Sequence, residues 1–437
     1  MASLSLSSFP VPETFECPTC RATITLYDPQ GSEYCACGSC AAYIRFSGET
    51  PEVIYKARKK AQTPLIPIGS EGVLKGYRFK VIAYIEKREN DPLYRWREYI
   101  LYHYEKGYAF LSEFDGHWNL ILGANFQPEL ESMVQSGKTL SYQGGSTQYK
   151  LFHKYTPAII AMIGEFDWDI RGEKIHISEF ISPPFVISQE TEKGLHGKTQ
   201  YYNGEYTEPQ VIAEAFKLDI NDFPSKEGVV SNQPSKGYES WSWTIKIALI
   251  AAMFIFVSEF LISSLRPERT LLDKTYYLMA DSVKPVNEFN PFVTSSFEIH
   301  GSSALEMEVS SMLDNNWLEA TIVLVNEASN QSWEVTKGIE FYQGYEGGEH
   351  WSEGSRVAAM MISEIPEGKY HLNVYAAGGD IRNGAVDIRV TANPVMWRNI
   401  FVAVLLISIV PITNLIRAYY FEKRRWSNSN YSPFSQG

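Results

Sequence analysis

Apolar positions follow two strand-like patterns along the chain, interrupted by two long continuous runs. From Gly69 to about Phe216 they alternate with polar residues or form short β-branched and aromatic runs, as in "GYRFKVIAYIEKR", "WREYILYHYEKGYAFLSEFDGHWNLIL" and "KLFHKYTPAIIAMIGEFDWDIRGEKIHISEFIS". Period-two alternation marks strands with one buried face, and "DG", "RG" and "KG" between the runs supply turns. A compact β-barrel or curled sheets are expected here, closed by a short helix at "TEPQVIAEAFKL" with Thr207 as its cap. From about residue 294 to 392 the alternation returns in "SSFEIHG", "ALEMEVSSM", "EATIVLVNEA" and "KYHLNVYAAG". About seven short strands in ~100 residues predict a two-sheet sandwich.

The continuous runs are "WSWTIKIALIAAMFIFVSEFLISSLR", Trp241 to Arg266, and "WRNIFVAVLLISIVPITNLIR", Trp397 to Arg417. Each reaches the ~20 residues that cross a bilayer, begins with an interface-seeking tryptophan and ends in an arginine that can snorkel. The chain is therefore expected to be mainly β, multi-domain and membrane-bound. Two spans put both termini on one side. The opening "MASLSLSSFPVPETF" has no basic start, apolar run or cleavage site, and the tail carries Arg417, Lys423, Arg424 and Arg425. Both features predict cytoplasmic termini in a cell inner membrane, with residues 267–396 extracytoplasmic. That outer segment holds 8 Lys and Arg against 19 Asp and Glu, a balance of −11 within a whole-chain charge of −12. Such acidity argues against a general nucleic-acid binder. Glu259 lies inside the first run, where an unpaired carboxylate costs ~2.5–3.5 kcal/mol; Arg398 on the second span is its expected partner, the alternative being that Glu259 points to the outer headgroups alone.

With the amino terminus in a reducing compartment, the five cysteines, all within residues 17–40, read as metal ligands rather than disulfides. "CPTC" and "CGSC" place Cys17 and Cys20, then Cys37 and Cys40, in two C-x-x-C knuckles. Four thiolates complete a tetrahedral Zn²⁺ shell with no open position, so a structural zinc ribbon is expected, with Cys35 beside it. The basic "YKARKKAQ" (Lys56, Arg58, Lys59, Lys60) is open to three readings: a solvated face, a phosphate contact or a contact with anionic lipid.

Catalytic signals are weaker. Glu113, Asp115 and His117 are close in sequence, but His117 follows a "DG" turn with no nucleophile nearby. Trp96, Trp118 and Trp168 read as core. In the outer segment, "YQGYEGGEHWSEGSR" is expected to be a glycine-rich loop. Its Tyr345, His350, Trp351 and Glu353 are candidate ligand-binding residues. "NDFPSKEGVVSNQPSKGYES", residues 221–240, has turn-rich composition without apolar period and reads as a flexible linker.

The succession "EGVLKGYRFKVIAY", "WREYILY", "GYAFLSEFDGHW", "GEFDWDIRGEKI" and "ISPPFVISQE" resembles the bacterial domain-of-unknown-function family 4178 over roughly residues 65 to 205. The resemblance implies a domain often joined to a zinc ribbon and membrane spans, from membrane-remodelling and envelope-stress gene neighbourhoods, with no assigned reaction. The expected organisation is a zinc ribbon with basic segment (1–62), a cytoplasmic β domain (63–220), the linker (221–240) and a first span (241–266). An acidic sandwich (267–396), a second span (397–417) and a basic cytoplasmic tail (418–437) follow. The expected role is a non-enzymatic scaffold or signal-coupling protein in the inner membrane, with the lipid bilayer and unidentified proteins as partners and the oligomeric state open. The alternatives are an enzyme with its site in the cytoplasmic β domain, and a sugar- or lipid-binding receptor acting through the outer sandwich.

Overall fold

A computed structural model of the chain describes residues 8–46, 50–89, 94–171, 175–192, 198–280, 287–379 and 384–434. The chain divides into two compact units, one of residues 1–241 with 413–437, the other of residues 242–412.

The first unit is built on a 15-stranded sheet running from Met133–Ser136 at one end to Pro51–Lys56 at the other. All its pairings are antiparallel, as hairpin signals such as "DG" in Asp115–Gly116 require. Alternation sorts each strand into two faces. Tyr84, Tyr99, Leu111 and Trp118 point into one core with Ile212 and Phe216 of helix α1 (Pro209–Phe216). Ile85, Glu98 and Phe110, one position away on the same strands, line a cavity on the opposite face.

The sheet does not close into the expected barrel. The free edge of Ala158–Phe166 is taken by Tyr34–Ala36 of the cysteine-rich segment, so the sheet continues through Ala42–Phe46 to Pro51–Lys56 and stays open. The boundary expected at residue 62 is therefore crossed by a continuous ladder. Glu165 fastens the joint: its buried carboxylate accepts from Tyr27 N at 2.6 Å, Asp28 N at 3.2 Å and Ser32 Oγ at 2.9 Å. Burial raises its pKa to about 6.

Glu165→Ala leaves those three donors without a partner at about 1–3 kcal/mol each, so a thermal melt should show a loss of at least about 3 kcal/mol. The pH dependence has a definite sign. The folded pKa of about 6 lies above the ~4.3 of an unfolded glutamate. The stabilisation tied to protonating Glu165 is thus fully present below ~pH 4.3 and lost as pH rises through the folded value. Relative to Glu165→Gln, the wild type should gain about 1–2 kcal/mol between pH 7 and pH 4.5.

The second unit contains two antiparallel sheets that share one core. Arg269–Tyr277, Ala385–Ala392, Ser303–Ser310 and Val357–Ile365 form the first. The second is centred on Gly368–Gly378, Asn316–Asn326 and Ser332–Glu346. Leu305, Met307 and Val390 from one sheet and Ile322, Tyr370 and Leu372 from the other are fully buried together. Ser303–Ser310 alternates strictly, with Ser303, Leu305, Met307 and Val309 inside. The glycine-rich stretch expected as a loop is instead a long hairpin, Ser332–Glu346 with Glu349–Ser355. Gly347 and Gly348 both have positive φ, 61° and 88°, which is what a two-residue turn of this hand requires.

The two apolar runs are helices α2 (Lys236–Leu265) and α3 (Trp397–Ser427), both long and apolar enough to cross a membrane. Pro411 lies inside α3 without ending it.

Candidate functional site

Cys17, Cys20, Cys37 and Cys40 converge, with all four sulfurs within 4.8 Å of one another. Cys17 Sγ to Cys40 Sγ and Cys20 Sγ to Cys37 Sγ are both 3.7 Å. A metal with ~2.3 Å bonds to sulfur in a tetrahedron separates its ligands by about 3.75 Å, so the cage can hold such an ion. The two knuckles are built alike. Cys17 N donates to Ala22 O and Arg21 N to Cys17 O, while Cys37 N donates to Ala42 O and Ala41 N to Cys37 O, all at 2.9 Å. Arg21 and Ala41 occupy the equivalent left-handed positions, φ 61° and 59°. Burial pushes the Cys17 thiol up, yet the Cys20 and Thr19 backbone groups and the neighbouring sulfurs bring it down to about 7. Cys35 stands apart. It is fully buried beside Leu26, Ala42 and Ile44, and burial first, then its charged neighbours, push its thiol far up. It packs below the cage as a small apolar side chain.

Glu113, Asp115 and His117 do not converge on one reacting point. Glu113 accepts from Arg97 Nη1 at 2.8 Å and Gly116 N at 2.9 Å. His117 points elsewhere: its Nε2 donates to Glu227 O at 3.1 Å and its Nδ1 accepts from the Tyr206 hydroxyl at 3.0 Å. That tautomer follows from the carbonyl, which can only accept, and from burial, which lowers the His117 pKa. Asp115 O accepts from Glu227 N at 2.9 Å. Asp115 and His117 thereby fasten the segment after residue 220, while Glu113 holds the turn at Gly116.

That segment, expected as a free linker, is a strap lying on the sheet. Asn232 is fully buried and donates to Asn119 Oδ1 at 2.7 Å and Pro184 O at 3.0 Å. The carboxyl-terminal tail holds the strap down. Arg425, one of the basic residues of the tail, is completely buried. Its guanidinium donates to Ser231 O at 2.7 Å, Gln233 O at 2.6 Å and Glu422 at 3.1 Å. Trp426 packs on Phe152 with ring centroids 5.3 Å apart, and Ser429 Oγ bonds to Phe152 O. Lys423 and Arg424 remain exposed. Gly237 at the start of α2 approaches the Ala418 backbone of α3 so closely that a Cβ there would sit 2.9 Å from Ala418 N. Nothing in the sequence separates Arg425 from Arg424; only the following Trp426, an apolar ring in a basic run, hints at docking.

The remaining candidates are spread out. Tyr345 and His350 face each other across the hairpin at 5.2 Å, Tyr345 being 79% exposed. Trp351 lies over Gly344 and Glu353 pairs with Tyr342. Glu259 accepts from Ser263 Oγ at 3.4 Å on its own helix, and no ion pair joins it to Arg398 among the described residues. A serine one turn away offers a hydrogen bond without requiring the helices to meet. Of the basic segment, Lys59 pairs with Glu86 at 3.2 Å. Trp118 is core as expected and Trp168 packs against a second core cluster while also lining the sheet cavity, whereas Trp96 lines that cavity.

The architecture is thus that of a mainly β protein with a four-cysteine cage and two helices fit to cross a membrane. Residues 67–209 match the model of the family described as Domain of unknown function (DUF4178). No curated protein matches the chain. Among solved structures, the infectious bursal disease virus Gt strain is similar at 9% identity and a TM-score of 0.17, covering 83% of this chain and 66% of that one. The Gx strain is similar at 10% identity and a TM-score of 0.17, covering 88% and 70%. Likeness at that score carries no argument.

Proposed function

We propose that the protein is a non-enzymatic coupling protein of the bacterial inner membrane. In this reading α2 and α3 span the bilayer, the metal ribbon and large sheet face the cytoplasm, and the acidic sandwich faces outward. The metal is a structural zinc, chosen for its preference for four thiolates in a closed tetrahedron. The observation that carries the reading is the Arg425 clamp: the continuation of α3 holds the strap that leads into α2. Segments on either side of the two apolar helices are thereby gathered into one unit, as two crossings require. A change in the sandwich that tilts or shifts α3 would pull on the strap through Arg425 and Trp426.

The test is in-cell photo-crosslinking from a photoreactive residue at Tyr345, in wild type and in Arg425→Ala. Coupling predicts that cutting the clamp changes the adducts formed at Tyr345. An identical adduct pattern in both would reduce the tail to a mere tether.

A further inference from the structure

One face of the large sheet holds a cavity of ≈ 1200 Å³ that neither the metal cage nor the clamp accounts for. Its size reaches beyond the roughly 300–1,000 Å³ of drug-sized sites. The alternation that buries Tyr84 and Tyr99 in the core turns Trp96, Glu98, Phe110 and Glu179 toward this space.

The wall is aromatic and acidic at once. Trp96 meets Tyr155 edge to face at 5.6 Å, and Phe110 meets Trp168 at 6.4 Å. Among the described residues, seven carboxylates line the cavity against three lysine or arginine side chains. Several of them are held in place. Glu98 accepts from Trp96 Nε1 at 2.6 Å and pairs with Lys87, Glu179 accepts from the Tyr155 hydroxyl at 2.9 Å, and Glu89 contacts His153 at 3.1 Å. Burial, then repulsion from Glu89 and Glu98, raises the Glu179 pKa, and a cation seated among these carboxylates would offset the repulsion.

We propose that this cavity binds an organic cation, its alkylated ammonium group seated among Glu98, Glu179 and the face of Trp96, its apolar remainder along Phe110 and Trp168. An anion would meet the carboxylate excess. A bare metal ion would leave the aromatic wall unused, whereas an alkylammonium gains from both carboxylate attraction and ring faces. Val229, Val230, Ser231 and Asn428 also line the cavity, so an occupant would lie against the strap that Arg425 holds. Binding itself does not depend on the two-span reading.

The test is calorimetric titration of the full-length protein in maltoside micelles with choline, beside its neutral isostere 3,3-dimethylbutan-1-ol and sodium chloride of matched ionic strength. Choline is expected to bind one per chain, at least tenfold more tightly than the neutral isostere. Trp96→Leu and Glu179→Gln are each expected to weaken it about tenfold. Should either variant fail to fold, the wild-type comparison of charged and neutral ligand decides alone. Equal binding of choline and its isostere, a choline signal matched by sodium chloride, or full affinity in both folded variants would overturn the proposal.

Discussion

Chelation of the metal at neutral pH is expected to unfold the amino-terminal ribbon while the sandwich stays folded. The hairpin of Glu13–Glu16 and Thr23–Leu26 is a two-stranded sheet of its own, and such a hairpin is marginal in water without further support. Its apolar support is the small cluster of Leu26, Cys35, Ala42 and Ile44 around the cage. Structural zinc contributes roughly 10–16 kcal/mol of apparent binding free energy in small thiolate modules, far more than this cluster can replace. Amides of both hairpin strands should lose hydrogen-exchange protection after chelation, whereas those of Ser303–Ser310 and Asn316–Asn326 should keep theirs. Cys37→Ser should weaken metal retention by more than the ~10–100-fold that follows loss of an outer-shell partner, because it removes a ligand. Protein purified under reducing conditions without metal, or a hairpin still protected after chelation, would count against the cage.

Arg425→Ala should release the strap without unfolding the sheet. The substitution removes a fully buried guanidinium and leaves the Ser231 and Gln233 carbonyls without their donor. Truncating one side of a buried charged hydrogen-bond set costs about 3–5 kcal/mol. Local opening should therefore rise by roughly 10²–10³-fold, at 1.4 kcal/mol per factor of ten. Hydrogen exchange reads this at the Glu227 and Gln233 amides, which donate to Asp115 O and Val230 O. The core strand Tyr77–Arg88 should exchange as in the wild type. Unchanged exchange at Glu227 and Gln233 would mean that Trp426 on Phe152 holds the tail by itself.

These contacts also mark where sequence reading stops. The C-x-x-C spacing was sufficient to pick the four cysteines that converge from the five present, because only one choice repeats the knuckle. The apolar runs located α2 and the start of α3, but α3 continues ten residues past the expected end at Arg417, to Ser427, through the first half of the expected tail; alternation identified both β regions. Hidden from the sequence were pairings that depend on edges and on distant partners. The barrel expectation failed because the edge of Ala158–Phe166 is filled by Tyr34–Ala36, more than 120 residues earlier. The linker expectation failed because the partners of Asn232 and Arg425, at Asn119 and Ser231, lie 113 and 194 residues away. Polar, turn-rich composition describes a strap held by carbonyls as well as it describes a free chain. The motif "W-R-E-Y" held more than was read from it: Trp96 and Glu98 face the cavity together, while Tyr99 enters the core.

Side of the membrane is the central claim, and paired reporter fusions address it most directly. One reporter follows Gly437; the other is inserted at Gly347, at the tip of the exposed hairpin between Glu346 and Glu349, where insertion disturbs no buried backbone. Two crossings with an outward sandwich predict a reporter active only in the cytoplasm after Gly437 and active only outside at Gly347. Both reporters active on the same side would contradict the spans, and the reversed pattern would contradict the orientation and the reducing environment that a four-thiolate metal site requires.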